Sequence, residues 1–241
     1  MLRVENVNKS YRTGQQVLAN INLTVGEGEI VGLVGESGSG KSTLAKVIMQ
    51  LESPDKGTVI FQNQQITKNN RKSFYEKCQI IFQNASNALN PMWTVKELLR
   101  EPLQHQKFVT DTYLQTMLEK VKLSNDVLQS LPSELSGGEK QRVNLLRSIL
   151  VEPKLIVCDE IVSSLDRLIQ REIIDLLISL NKERNMAILF ISHDLKAVSY
   201  LSERIYVMKA GEIVDEQYKE QGAFNFTDSY AQKLFQAMES E

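Results

Sequence analysis

Residues 35–43 read Gly-Glu-Ser-Gly-Ser-Gly-Lys-Ser-Thr and lie between the apolar run Ile30-Val31-Gly32-Leu33-Val34 and the helix-like Leu44-Ala45-Lys46-Val47-Ile48-Met49. This is the spacing of a phosphate-binding loop in the context such a loop needs, strand before and helix after. Glycines allow the backbone to curl, so that several N–H groups converge on the α- and β-phosphates of a nucleotide. Lys41 is suited to reach the β- and γ-phosphates and the Ser42 hydroxyl to sit on Mg²⁺, and the helix that follows starts with its positive end at the phosphates. The bland alternative is a glycine turn before an ordinary helix. The fixed positions together with both flanks favour nucleotide binding by Gly35, Glu36, Ser37, Gly38, Ser39, Gly40, Lys41, Ser42 and Thr43.

Other residues of the right chemistry sit at the ends of apolar runs. Leu155-Ile156-Val157-Cys158 ends in Asp159-Glu160. Asp159 is suited to hold the Mg²⁺ shell and Glu160 to polarise an attacking water. A second run, 186–191, ends in Ser192-His193-Asp194, where His193 could contact the γ-phosphate or position water; the only other histidine, His105, gives no metal-site spacing. Gln83 leaves the strand-like run 78–82. It is either a metal-water or attacking-water contact or the first residue of a loop. Ser136-Gly137-Gly138-Glu139 opens a helix through Val143, Leu146 and Ile149, with Ser136 and Glu139 spaced as a capping box. Such a glycine-entered N-terminus is a second anion site or a plain capped helix. A second phosphate clamp in one chain is puzzling unless two copies face each other. Tyr11 could stack on an adenine, although a surface or packing tyrosine is the more ordinary reading.

The elements that must position these groups follow from periodicity. Leu2, Val4 and Val7 begin one strand, 17–25 alternates through Leu18, Ile21, Leu23 and Val25, and 30–34 is continuous and apolar. Residues 58–61 and 78–82 predict further strands, with the polar tract 62–71 as turn and loop. From about residue 96 to 130 the pattern turns helical, with Pro91, Pro102 and Pro132 as boundaries, which suggests an inserted helical region. Trp93 is either a partner anchor or, the favoured reading, a core residue. Residues 166–185 and 230–238 predict helices, and 204–208 and 212–214 strands.

The chain of 241 residues is long enough for one α/β domain with a subdomain. A formal charge of −2 and a pI near 5.9 give no general basic bias, so nucleic acid is not expected as a partner. Cys78 and Cys158 lie in or beside apolar runs as small hydrophobes, not as a disulfide framework, in keeping with a reducing compartment. No signal segment and no run of 18 apolar residues is seen, so any membrane role is expected to come from binding an embedded partner.

Taken together, these segments resemble the ATPase subunit of an ATP-binding-cassette transporter. The resemblance is carried by the loop 35–43, Gln83, the signature Leu135-Ser136-Gly137-Gly138-Glu139-Lys140-Gln141-Arg142, Asp159-Glu160, Ser164-Leu165-Asp166 and His193, in matching order over essentially the whole chain. It implies an α/β fold: a phosphate-loop NTPase core with an N-terminal antiparallel β region and an inserted α-helical signature subdomain. The core would comprise 1–83 and 151–241, and the mostly helical subdomain 84–150. ATP and Mg²⁺ are the implied cofactors. Glu160, His193 and Gln83 become catalytic, Ser42, Gln83 and Asp159 metal-organising, and Tyr11, Ser136, Gly137, Gly138 and Asp166 nucleotide-binding. Two domains would pair head to tail, so that each ATP lies between one loop 35–43 and the other domain's Ser136–138 terminus. The implied partners are a second such subunit, homologous or identical, two transmembrane permeases touching roughly residues 84–100, and indirectly an extracytoplasmic solute-binding protein. The chain would lie peripherally on the cytoplasmic face of the cell membrane.

Residues 81–91 are similar to the segment typical of peptide, nickel and metal-chelate importers, and Asp228-Ser229-Tyr230 to their C-terminal region, where His-Pro-Tyr is common. This copy lacks that His and Pro, ends soon afterwards, and has Ile161-Val162 where Pro-Thr is usual. None of these departures removes a catalytic side chain, and together they suggest a diverged branch such as a nickel or nicotianamine-like metallophore importer. The alternatives are the ATPase of an exporter or lipoprotein-release complex, and a nontransport regulatory protein of the same family.

Overall fold

The structure, a computed structural model, describes residues 1–11, 14–83, 88–104, 109–163 and 165–239. Expectations that touch residues 84–87, His105 or Ser164 lie outside the described residues. The strands are β1 (Leu2–Ser10), β2 (Gln16–Val25), β3 (Ile30–Val34), β4 (Lys56–Phe61), β5 (Gln64–Gln65), β6 (Cys78–Ile81), β7 (Leu155–Asp159), β8 (Ala187–Ile191), β9 (Arg204–Lys209) and β10 (Glu212–Tyr218). The helices are α1 (Lys41–Ile48), α2 (Arg71–Lys77), α3 (Val95–Arg100), α4 (Asp111–Lys120), α5 (Gly137–Ile149), α6 (Arg167–Arg184), α7 (Leu195–Leu201) and α8 (Ser229–Glu239).

Strands β2-β1-β4-β5 form an antiparallel sheet, and β10-β9-β3-β8-β7-β6 a six-stranded sheet that is parallel except for β10. Every residue of β3, β7 and β8 is buried, as expected of strands covered on both faces. Their side chains divide by the two-residue period. Val31, Leu33, Leu155, Val157, Leu189 and Ile191 join the core facing the first sheet and α1, while Ile30, Val34, Ile156, Cys158, Ile188 and Phe190 join the core shared with the helices after β6. Cys78 and Cys158 are buried free thiols, and burial pushes both thiol pKa values far up. In β2 the alternation skips a residue between Leu18 and Ile21, where Asn20 takes φ 50° and the register against β1 shifts.

Parallel register fixes the functional edge. Leu33 and Asp159 both stand beside Ile191, and Ile81 beside Cys158, so the segments after β3, β6, β7 and β8 leave the sheet at one end. Ligands of open α/β sheets bind at that end.

Several expectations need correction. Trp93 is not core: it is 37% exposed beside Met92 at 80%, because Val95, Leu98 and Leu99 fill the interior while residues 91–93 turn outside it. The helical stretch from about 96 to 130 is broken into α3, a 3₁₀ turn Glu101–Leu103 containing Pro102, α4 and a 3₁₀ turn Asn125–Gln129. The polar tract 62–71 includes β5 and the first residue of α2, a helix held down by Phe74, which packs edge-on to Phe61 at 5.3 Å. Helix α7 is an element that the periodicity does not predict. Among the described residues no helix is long and apolar enough to cross a membrane.

Candidate functional site

The loop between β3 and α1 is built on glycine. Gly35, Gly38 and Gly40 have φ of 154°, 81° and 108°. A Cβ on Gly35 would lie 2.1 Å from the Met208 carbonyl oxygen, and one on Gly40 2.8 Å from that of Val17, so the backbone presses directly on neighbouring strands. Lys41 is buried at 4% exposure and donates from Nζ to the carbonyls of Gly35 (2.8 Å) and Glu36 (2.9 Å). Burial lowers its pKa, opposed by the charges of Glu160 and Asp159. Ser39 is buried, while Glu36, Ser37 and Gly38 face solvent. Ser42 Oγ donates to Asp159 Oδ1 at 3.1 Å, which joins the loop to the acidic end of β7.

Asp159 is almost wholly buried, and burial holds its carboxyl above the ordinary carboxylate range; the Ser42 hydrogen bond opposes the rise and the Glu160 charge adds to it. The next residue, Glu160, takes φ 52°, a conformation costly for a residue with a side chain. Its N–H donates to Ile191 O at 2.9 Å, and its carbonyl accepts from Ser163 Oγ at 2.9 Å. Its Oε2 accepts from Gln83 Nε2 at 3.3 Å and faces His193 Nδ1 at 3.3 Å. Gln83 Nε2 also reaches Ser163 Oγ at 3.2 Å. A buried carboxylate that stays raised in pKa despite the charges of Lys41 and Lys46, bonded to a hydroxyl and adjacent to a second carboxylate, favours further positive charge. That donor set fits a hard divalent cation such as Mg²⁺.

The remaining candidates stand elsewhere. Tyr11 is 41% exposed, and its hydroxyl donates to Glu52 Oε2 at 2.9 Å and lies 3.4 Å from Thr43 Oγ1, which sets it beside α1. Ser136 caps α5: its Oγ accepts from Glu139 N at 3.3 Å, and Glu139 Oε2 accepts from Ser136 N at 2.8 Å. The Ser136 hydroxyl, followed by its amide, holds the Glu139 carboxyl below the ordinary range. Gly138 adjoins α6, where a Cβ would meet Ile169 Cγ2 at 3.0 Å. Asp166 caps α6 by accepting from Leu168 N and Ile169 N, both at 3.0 Å. Among the described residues no hydrogen bond or ion pair joins Ser136, Gly137, Gly138 or Asp166 to residues 35–43. The fold thus gathers Lys41, Ser42 and Asp159 at the loop, and Gln83, Glu160 and His193 around one carboxylate. Ser163 completes that second group; sequence reasoning missed it, because a serine three residues after an acid carries no signal of its own.

Residues 18–163 match the family profile described as ABC transporter. The "Nickel import ATP-binding protein NikE" of Escherichia coli (strain K12) is 43% identical over 210 residues, covering 84% of this chain and 78% of that protein. The protein of the same name from Shigella dysenteriae serotype 1 (strain Sd197) is 41% identical over 232 residues, covering 90% and 87%. Among solved structures, the dimeric post-hydrolysis state of the ATP-binding cassette MJ0796 bound to ADP and Pi is similar at a TM-score of 0.81 and 28% identity, covering 90% of this chain and 98% of that one. The structure of cbiO1 from Clostridium perfringens, part of the ABC transporter complex cbiONQ, gives 0.80 and 27%, covering 89% and 87%.

Proposed function

The chain belongs to the ABC transporter ATPases, the ATP-hydrolysing subunits of that family, and from that premise we propose that it energises import of nickel, a metal chelate or a peptide through a membrane permease. The observation that carries the catalytic reading is the Glu160 carboxylate, held between Gln83 and His193 on the sheet edge from which the phosphate loop also leaves. ATP would stack its adenine on Tyr11 and lay its phosphates along the loop. Lys41 and the loop amides stabilise charge on the β- and γ-phosphates, Glu160 takes the proton of the attacking water at Oε2, and His193 holds the γ-phosphate. Ser42, Asp159 and Gln83 would hold Mg²⁺, which when bound neutralises charge on the phosphate oxygens.

On the same reading the chain is half of a composite site. Ser136, Gly137, Gly138 and Asp166 serve the nucleotide of a second subunit, and the catalytic core (1–83 and 151–241) carries a helical subdomain over 84–150. Helices α3, α4 and α5, all between β6 and β7, support that division. Exposed Met92 and Trp93 support a permease contact within residues 84–100. Such a subunit works peripherally at the cytoplasmic face of the membrane. Nickel is favoured as cargo because the similar Escherichia coli and Shigella dysenteriae proteins are named for nickel import. The test is coexpression with the candidate permease pair, reconstitution in proteoliposomes, and ATPase assay with the solute-binding protein loaded or empty. Cargo-dependent stimulation is expected; hydrolysis that never responds to permeases, or a chain that never copurifies with them, overturns the transport reading.

A further inference from the structure

The C-terminal helix reaches the phosphate loop through one hydroxyl. Tyr230, in the first turn of α8, accepts a hydrogen bond at its phenolic oxygen from Glu36 N–H at 3.3 Å. That N–H and the Gly35 carbonyl belong to the same peptide unit. The carbonyl end of the unit is held by Lys41 Nζ at 2.8 Å. The plane of the 35–36 peptide is therefore gripped at both ends, by Lys41 from inside and by Tyr230 from outside. The grip matters because Gly35, at φ 154°, offers little steric resistance to rotation of the peptide that follows it.

The tyrosine is itself firmly set. Asp228 Oδ1 accepts from Tyr230 N at 2.8 Å and Ala231 N at 3.2 Å, which starts α8 at a fixed place. Buried Asp215 on β10 anchors that start by accepting from Thr227 N at 2.7 Å and Asp228 N at 2.8 Å. Lys209 Nζ lies 4.6 Å from the Tyr230 ring centroid, on the strand next to β3, and orients the ring.

We propose that Tyr230 is a positioning residue for ATP: its hydroxyl orients the 35–36 peptide at the entrance of the phosphate loop. The inference rests on the reading that residues 35–43 bind ATP. When Lys41 turns donors toward phosphates, it gives up bonds to the carbonyls of Gly35 and Glu36. Among the described residues, Tyr230 then becomes the remaining side-chain hydrogen-bond hold on the 35–36 peptide. In the empty loop Lys41 shares that task, so the hydroxyl counts for most with nucleotide present.

The test is Tyr230→Phe in the full chain, which keeps the ring on Lys209 and removes only the oxygen. ATP binding and steady-state ATPase are measured beside the thermal midpoint of the nucleotide-free protein. Expected is a rise of about three- to five-fold in the dissociation constant and KM for ATP, the size of one neutral hydrogen bond, with kcat and the nucleotide-free midpoint unchanged. Asp228→Ala, which frees the start of α8, should raise KM in the wild-type background and add little to it in the Tyr230→Phe background. An unchanged KM in Tyr230→Phe overturns the proposal, as does a fall in nucleotide-free stability that accounts for the whole effect. Wild-type protein that binds no ATP, or Lys41→Ala that binds it normally, overturns instead the reading of the loop on which the proposal rests.

Discussion

Glu160→Gln separates the chemical step from binding. The substitution keeps side-chain length and an oxygen that can still accept from Gln83 Nε2, now 3.3 Å away, while removing the charge and the basic site that face His193. On the proposed mechanism what disappears is the general base, worth about 10²- to 10⁴-fold in rate, or about 2.7–5.4 kcal/mol of barrier at about 1.36 kcal/mol per decade. Binding rests on other groups. Lys41 loses one of the two charges that oppose its desolvation but retains Asp159, and the γ-phosphate loses a negative neighbour. Stabilisation by MgATP at a hundredfold excess over Kd, about 2.7 kcal/mol, should therefore match that of wild type. Single-turnover phosphate release measures the first quantity and thermal shift with MgATP the second, while sedimentation reports whether ATP now accumulates a closed dimer. Phosphate release within twofold of wild type refutes Glu160 as the base. Loss of MgATP stabilisation refutes the separation itself and makes Glu160 a binding or folding residue.

Asp159→Asn should trade stability against function. A carboxyl raised by burial contributes stability fully below its ordinary value of 3.8, and that contribution is lost as pH rises through the higher folded value, so at neutral pH the ionised group is a cost. The Asn variant should be more stable than wild type at pH 7 without Mg²⁺, lose that advantage toward pH 3–4 in chemical denaturation, and fail to gain from MgATP. Arg204 is buried between Glu29 at 2.7 Å and Glu216 at 2.9 Å and also donates to Thr24 O at 2.9 Å, tying both sheets together. Arg204→Met leaves Glu29 without its cation and should cost about 3 kcal/mol. That is a fall of about 6–12 °C in the midpoint for a chain of this size, and a change under 2 °C, read by calorimetry, would count against the interlock.

What could be read in the sequence depended on how far apart the cooperating groups lie. The phosphate loop is contiguous, and glycines, lysine and serine within nine residues announce it. The positions of Asp159, Glu160 and His193 were legible because residues 155–158 and 187–191 are unbroken apolar runs, so the polar residues that close or follow them had to stand at one end of the sheet. Helices α2 and α7 span seven residues each, too few for a 3.6-residue period to stand out, and they are held by tertiary packing. Trp93 shows the limit of composition: a large aromatic ring suggests core, but three apolar residues within the next six already filled it. The Tyr230 contact joins groups 194 positions apart and depends on where an Asp-capped helix begins, which no local pattern encodes.

The placement of the proposed second anion site, at the start of α5 and away from residues 35–43, has a physical reason. The first amides of α5 have no acceptor within their own helix, and a Cβ on Gly137 would meet nothing within 4 Å. Glu139, the acid in the first turn of that helix, is drawn back onto Ser136 by two hydrogen bonds, so it caps the helix instead of extending across its mouth. The chain's own phosphate loop makes no hydrogen bond there among the described residues. On the proposed reading, the open helix terminus and the loop that holds its lysine and serine inward are complementary halves, and among the described residues no hydrogen bond joins them within one chain. Two copies related by a twofold axis, or two homologous chains by an approximate one, would set the α5 terminus of each against the loop 35–43 of the other and create two sites at once. On that reading hydrolysis at Glu160 is conditional on a neighbour's Ser136, and the nucleotide becomes the link through which paired ATPases can move their permeases.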